Sequence, residues 1–220
     1  ERLRDLTPQH DGVLAHLIRT GDAVRDLPMP KFLEMTDAIS LTYARARKER
    51  DKVPGLLPLI YRFEAARLAQ YEREIVDDFD HSFLVSSIDQ EFLFGANPDR
   101  KKRTSVASNG VDPDRLPYSF WPNTGNLAFI GDMRTLPNQD AVLYMANSIL
   151  PLIRRRYPLV KLQVIGRISP ADKTRLEKLA DVIVTGQVES ISEAAKGCAV
   201  GVCPMRLGAG VQNKILEYMA

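Results

Sequence analysis

A chain of 220 residues, 45% of them hydrophobic, can bury one large or two small cores, which excludes an intrinsically disordered chain. With 30 Lys and Arg against 28 Asp and Glu, the formal charge of +2 supplies no global field for nucleic acid. Cys198 and Cys203 share one apolar stretch and give no disulfide framework, and the scattered His10, His16 and His81 lack zinc-ligand spacing, so a reducing compartment and no metal are expected.

No apolar run approaches the roughly 18 residues of a membrane span, and no charged-then-apolar leader opens the chain. A cytoplasmic protein is expected, with the inner face of the membrane as a second place for it. The sequence starts at Glu1 without an initiator Met and stops at Ala220 inside a predicted helix, so a longer parent protein is expected.

In chain order, the apolar patterning predicts strands over Asp11–Leu17 and Lys31–Met35 and a helix over Ile39–Arg50. From Gly55 to Asp80, Leu57, Ile60, Phe63, Ala66, Ala69 and Ile75 recur near a 3.6 period. They predict a long helix whose polar face carries Arg62, Glu64, Arg67, Glu72 and Arg73. His81–Ser86 reads as a strand, and Asp89 as the cap of a short helix after it. The basic segment Pro98–Arg103 precedes a short strand at Ser105–Ala107 and a turn at Asn109–Gly110. A stretch with three prolines and Trp121 follows, and 113–125 reads as the linker between a first domain, 1–112, and a second, 126–220.

The second domain alternates more cleanly. Strands over Asn126–Ile130, Lys161–Ile165, Val182–Thr185 and Val200–Cys203 interleave with helices over Pro137–Tyr157, Pro170–Ala180, Ser190–Lys196 and Val211–Met219. Such alternation means βαβ units, parallel sheets and an α/β class in two lobes.

Three of these strands run into Gly131, Gly166 and Gly186, and the fourth into Pro204–Gly210. Ligands of open parallel sheets bind at the carboxyl ends of the strands, where glycine lets backbone come close. Gly208 and Gly210 precede a predicted helix whose free amides and dipole would face an anion. Arg206 and Lys214 could add charge-assisted bonds to a diphosphate, and Glu217 could accept from two ribose hydroxyls. A dinucleotide fingerprint is a weak competitor because its third glycine position is Asn213, and no P-loop is present.

Taken together and in order, several segments resemble the retaining family 4 glycosyltransferases of the GT-B fold, especially sugar transferases of bacterial exopolysaccharide loci. They are Tyr61-Arg62-Phe63-Glu64 through Tyr71-Glu72, Phe83-Leu84-Val85-Ser86, Ser108-Asn109-Gly110-Val111-Asp112, Phe129-Ile130-Gly131-Asp132-Met133 with Pro137-Asn138-Gln139-Asp140-Ala141, Val164-Ile165-Gly166, and Gly208-Ala209-Gly210 to Ala220. The resemblance implies two Rossmann-like lobes with parallel sheets facing a cleft, both incomplete in this chain. The amino lobe would bind the acceptor and the carboxyl lobe the donor.

By the same resemblance, transfer proceeds with retention from a nucleoside diphosphate sugar to a polysaccharide or lipid-linked acceptor, without a cofactor. Gly131, Gly208, Ala209, Gly210, Lys214 and Glu217 carry over from the resemblance as donor-nucleotide residues; Asp132, Gly166, Arg167 and Gly186 join them from their places at the strand ends, and Arg206, just before the glycine loop, is expected with Lys214 as a catalytic cation. His16 and Asp37, at strand ends of the first domain, are candidates for the acceptor side, with core packing and helix capping as their ordinary roles. The chain departs from the family at Ala209, where many members carry a second Glu, and at Asp132 and Asn138, which stand near the places of an Arg and a Lys. Ala209 keeps open a degenerate nucleotide-sugar-binding or scaffold protein of the same fold. Nucleic acid is not an expected partner, and Arg100–Arg103 and Arg154–Arg156 are solvated basic faces that could touch a membrane surface.

Overall fold

The computed structural model describes residues 2–48, 57–114, 125–207 and 210–220, with side chains from 3–45, 63–114, 125–207 and 210–220. Two compact units divide the chain, Glu1–Asn109 with Gly210 and Val211, and Gly110–Leu207 with Gln212–Ala220. The predicted linker lies mostly outside the described residues, and Asn109–Gly110 sits in irregular chain rather than a turn.

The first unit holds a four-stranded parallel sheet in the order β1-β2-β3-β4, from Val13–His16, Lys31–Thr36, His81–Leu84 and Thr104–Val106. Its helices are α1 (Arg2–Leu6), α2 (Ile18–Val24), α3 (Ile39–Lys48), α4 (Leu57–Glu74), α5 (Ser87–Phe94) and α6 (Pro98–Lys102). Leu33, Met35, Ile75, Val76, Phe79, Leu84 and Phe94 form its core, so the alternate residues of β2 face the apolar stripe that follows α4. The basic segment predicted without structure is helical because Asn97 caps it, accepting from the Arg100 amide at 3.1 Å, and Pro98 suits its first turn.

Asp89 is not the cap of α5. Ser86 fills that place, its hydroxyl accepting from the Ile88 amide at 3.1 Å. Asp89 is fully buried instead and accepts from the Ala38 amide at 3.3 Å, at the start of α3. The Glu72 carboxylate, also fully buried, accepts from the Ile39 amide at 2.7 Å and from the hydroxyl and amide of Ser40. Two acids distant in sequence therefore cap α3. Burial pushes the Glu72 carboxyl up, its bonds to Ser40 and Ile39 oppose that, and Asp89 adds to it.

The second unit carries the sheet β7-β6-β5-β8, also parallel throughout, from Val182–Gly186, Leu162–Ile165, Leu127–Ile130 and Val200–Gly201. All four residues of β5 are buried, as expected for an inner strand covered on both faces. The predicted helix 137–157 is divided into α7 (Leu136–Tyr144), a π-helical segment Met145–Ile149 and α8 (Leu150–Arg154). Pro151 gives the reason: it lacks an amide and its ring crowds the carbonyl one turn earlier, and a wider turn just before it relieves both. Then α9 (Pro170–Leu176), α10 (Ile191–Ala195) and α11 (Asn213–Met219) complete the unit. The last helix begins two residues later than its patterning suggests.

Candidate functional site

The carboxyl ends of β5, β6 and β7 form one rim of the second unit, and its shape follows from glycine. Gly166 holds φ +135, and a side chain there would meet the Gly131 carbonyl oxygen at 2.1 Å, so the two strand ends touch through backbone alone. The Gly131 amide donates to the Ile165 carbonyl at 3.0 Å, and the Gly166 amide to Gly186 at 3.1 Å. Gly186 holds φ +82 beside open space.

Above these ends lies a cavity of about 380 Å³, within the usual size of small-molecule sites. Gly131, Asp132, Gly166 and Arg167 line it together with Gln187 and Ile191. Four of the residues predicted to hold a donor are thus brought together. Gly186 lies next to the lining residue Gln187 without lining the cavity itself. Arg167 is exposed and has no hydrogen-bond or ion-pair partner for its side chain among the described residues. Asp132 forks onto the Arg134 guanidinium, at 2.9 and 2.5 Å, and accepts from the Arg134 amide at 3.0 Å. Those bonds hold its carboxyl down at about 2 against an ordinary 3.8.

The two predicted cations are engaged within the unit. Arg206 pairs through two nitrogens with the buried Asp140, at 3.0 and 2.5 Å, and its guanidinium lies 4.1 Å over the Tyr144 ring. Lys214 is buried on α11, donates to Asn138 Oδ1 at 2.8 Å and to Met205 Sδ at 3.5 Å, and sits 4.7 Å over the Phe129 ring. Burial pushes its ammonium below the ordinary lysine value, while Cys203 and Glu217 oppose that shift. Neither cation extends free into solvent.

Glu217 is half-buried, without a hydrogen-bond or ion-pair partner among the described residues. Gly210 holds φ +69, the left-handed backbone that favours glycine, whereas Gly208 and Ala209 lie outside the described residues. Cys198 and Cys203 are both free thiols, half-buried, and burial raises each.

Three residues that positional reasoning missed organise this site. Asn138, from the first turn of α7, donates from Nδ2 to the Asp132 carbonyl at 3.0 Å while it accepts from Lys214. Asp140 neutralises Arg206. Tyr218 accepts from the Ile130 amide at 2.9 Å and donates to the Val202 carbonyl at 3.1 Å, which ties α11 to β5 and to the end of β8. Its ring lies where a side chain on Gly201 would stand, 2.2 Å away, so that glycine is a packing requirement. Burial raises the Tyr218 phenol well above its ordinary value. The adjacency of Tyr218 to Glu217, with a glycine in the last strand, was the available signal for this pin.

In the first unit, His16 is an exposed residue at the end of β1 whose Nδ1 meets the Glu34 carboxylate. Thr36 donates to the other Glu34 oxygen at 2.8 Å. Leu17, just beyond β1, and Thr36, the last residue of β2, both hold positive φ, 70 and 65, which marks backbone strain at these strand ends. Asp37 does not cap α3, since Asp89 and Glu72 do. Burial raises its carboxyl first, with Asp89 and Glu34 adding to the shift. Among the described residues no cluster of three or more His, Cys, Asp or Glu could hold a metal, and no helix is long and apolar enough to cross a membrane.

Residues 124–220 match the profile of the family described as Glycosyl transferases group 1. Among solved structures, an alpha,alpha-trehalose-phosphate synthase (UDP-forming) from Burkholderia xenovorans, in complex with glucose-6-phosphate, is similar with TM-score 0.61 and 12% identity, over 97% of this chain and 57% of that one. A structure described as trehalose-6-phosphate from E. coli bound with UDP-2-fluoro glucose gives TM-score 0.60 and 13% identity, over 99% and 58%. The accessory secretory proteins 1, 2 and 3 of Streptococcus pneumoniae give 0.50 and 10%, over 90% and 38%. The chain thus spans little more than half the length of the first two of these chains and 38% of the third. Curated proteins give no match. The two parallel-sheet α/β units are of the GT-B class.

Proposed function

We propose, from the glycosyl transferase match of the second unit, that this chain binds a nucleoside diphosphate sugar and belongs to a retaining glycosyltransferase. The observation that carries the reading is the cavity at the ends of β5, β6 and β7, framed by Gly131, Asp132, Gly166 and Arg167. Its glycines let backbone reach a bulky ligand, and Arg167, which acts on Asp132 only through space, offers an exposed guanidinium without a hydrogen-bonded partner among the described residues. The similar structures bound to a UDP-sugar analogue and to glucose-6-phosphate support a sugar donor and a sugar-containing acceptor.

In this reading Arg167 meets the diphosphate, and Gly186 borders the nucleoside. Glu217, whose carboxylate has no hydrogen-bond partner among the described residues, takes the ribose hydroxyls. Lys214, held by the neutral Asn138, contributes positive potential that favours the departing diphosphate over the intact donor, and Arg206 does so only on exchanging its Asp140 partner for a phosphate oxygen. His16 and Asp37 serve the acceptor, a glycan or a lipid-linked sugar, and no cofactor takes part. The enzyme works in the cytoplasm, at the inner membrane face where its acceptor is lipid-linked.

A second reading, a nucleotide-sugar-binding protein without transfer, is favoured by one observation: both cations already have protein partners. A thermal-shift screen of UDP- and GDP-sugars tests the donor reading, because a ligand at 100 times its Kd adds about 2.7 kcal/mol of stability. A rise with one nucleotide sugar supports it; no rise with any sinks it. Release of free sugar from the stabilising donor separates enzyme from binding protein.

A further inference from the structure

The segment 131–134, which carries Gly131 and Asp132 along the cavity, is tied down at several points. The Met133 amide donates to the Arg167 carbonyl at 2.7 Å, and Gln139 Nε2 donates to the Met133 carbonyl at 2.7 Å. Asn138 does more than either. Its side-chain nitrogen lies 2.9 Å from where a Gly131 side chain would begin, and it donates to the Asp132 carbonyl at 3.0 Å.

The orientation of that amide follows from chemistry. One end faces a carbonyl, which only accepts, and the other an ammonium, which only donates, so Oδ1 must face Lys214. Lys214 itself has no carboxylate partner among the described residues. Its ammonium is in direct contact with Asn138 Oδ1, Met205 Sδ and the Phe129 ring, with Glu217 and Cys203 acting on it only through space, so its charge is only partly compensated.

We propose that Asn138 is a positioning residue: it couples the buried Lys214 charge to the 131–134 segment, so that a diphosphate in the cavity meets the two in one fixed arrangement. The inference rests on the donor reading above. Asn138 touches neither reacting atoms nor ligand; it acts through Lys214 and through the Asp132 carbonyl. A carboxylate at this position keeps a partner for Lys214 but cancels its charge and loses the bond to Asp132.

The test is titration calorimetry of the chain with UDP, GDP, uridine and guanosine, comparing parent, Asn138→Asp and Lys214→Met. The ratio of diphosphate to nucleoside affinity is the readout, since a merely structural role would lower both together. Asn138→Asp should weaken the bound diphosphate about tenfold or more at unchanged nucleoside affinity, the scale of a hydrogen bond to a charged group. Lys214→Met should do the same, and the double variant should lose no more than the larger single loss. An unchanged ratio in Asn138→Asp, with the parent binding diphosphate, overturns this inference alone. A parent that binds neither diphosphate overturns the donor reading as well. Should Asn138→Asp fail to fold, Asn138→Ala, which removes both bonds without adding charge, is read the same way: a lowered ratio at unchanged nucleoside affinity supports the inference, and an unchanged ratio overturns it.

Discussion

Replacing Tyr218 with Phe removes one oxygen and leaves the ring against Gly201 in place. That oxygen closes two hydrogen bonds, from the Ile130 amide at 2.9 Å and to the Val202 carbonyl at 3.1 Å. Ile130 is only 8% exposed, so its amide would be left without water or partner. Two bonds of about 1 kcal/mol each, plus part of the cost of an orphaned donor, give a loss of about 2–3 kcal/mol. Hydrogen exchange at the Ile130 amide reads this locally, without assuming that two units unfold as one. At about 1.4 kcal/mol per tenfold change, Tyr218→Phe should speed that exchange by about 30-fold or more. Exchange within about a factor of two of the parent would refute the pin between α11 and β5.

Other perturbations follow from the same geometry. Gly166→Ala forces a side chain toward the Gly131 carbonyl at φ +135 and should cost about 3 kcal/mol or more, read as a lower urea midpoint for the second unit; an unchanged midpoint contradicts the close approach of the strands. Asp140→Asn weakens the partner of Arg206 and should cost about 1–3 kcal/mol in the same assay, with no loss counting against the pair. Asp132 has a folded value below its unfolded one, so its pairing with Arg134 stabilises above pH 3.8 and fades as pH falls toward about 2. The carboxyl carbon shift of Asp132 followed against pH checks this, and a midpoint near 3.8 would contradict it.

What the sequence disclosed was mainly local. Gly131, Gly166 and Gly186 stood out because each follows an apolar strand, and a strand that ends in glycine needs no distant partner to be read. The same locality explains the errors. Asp89 looks like a cap by position, yet Ser86 lies three residues earlier at the turn itself, and Asp89 serves an amide 51 residues away in sequence. Glu72 sits on the polar face of α4 by periodicity, but it is fully buried because α3 lies against that face with its own amides unpaired. Lys214 reads as a free cation beside a glycine loop until Asn138, 76 residues earlier, draws it inward. Pro151 broke the helical period only where the π-helical turn before it became visible.

In the proposed function, the rim built by Gly131, Gly166 and Gly186 receives a nucleoside diphosphate. Following the backbone amide resonances of the chain during titration with UDP and then GDP tests it most directly. Saturable shifts are expected at Gly131, Asp132, Gly166, Arg167 and Gln187, the residues around the cavity, with little change across α8 and α9. Saturation without movement at those five amides, or shifts confined to another surface, would contradict it.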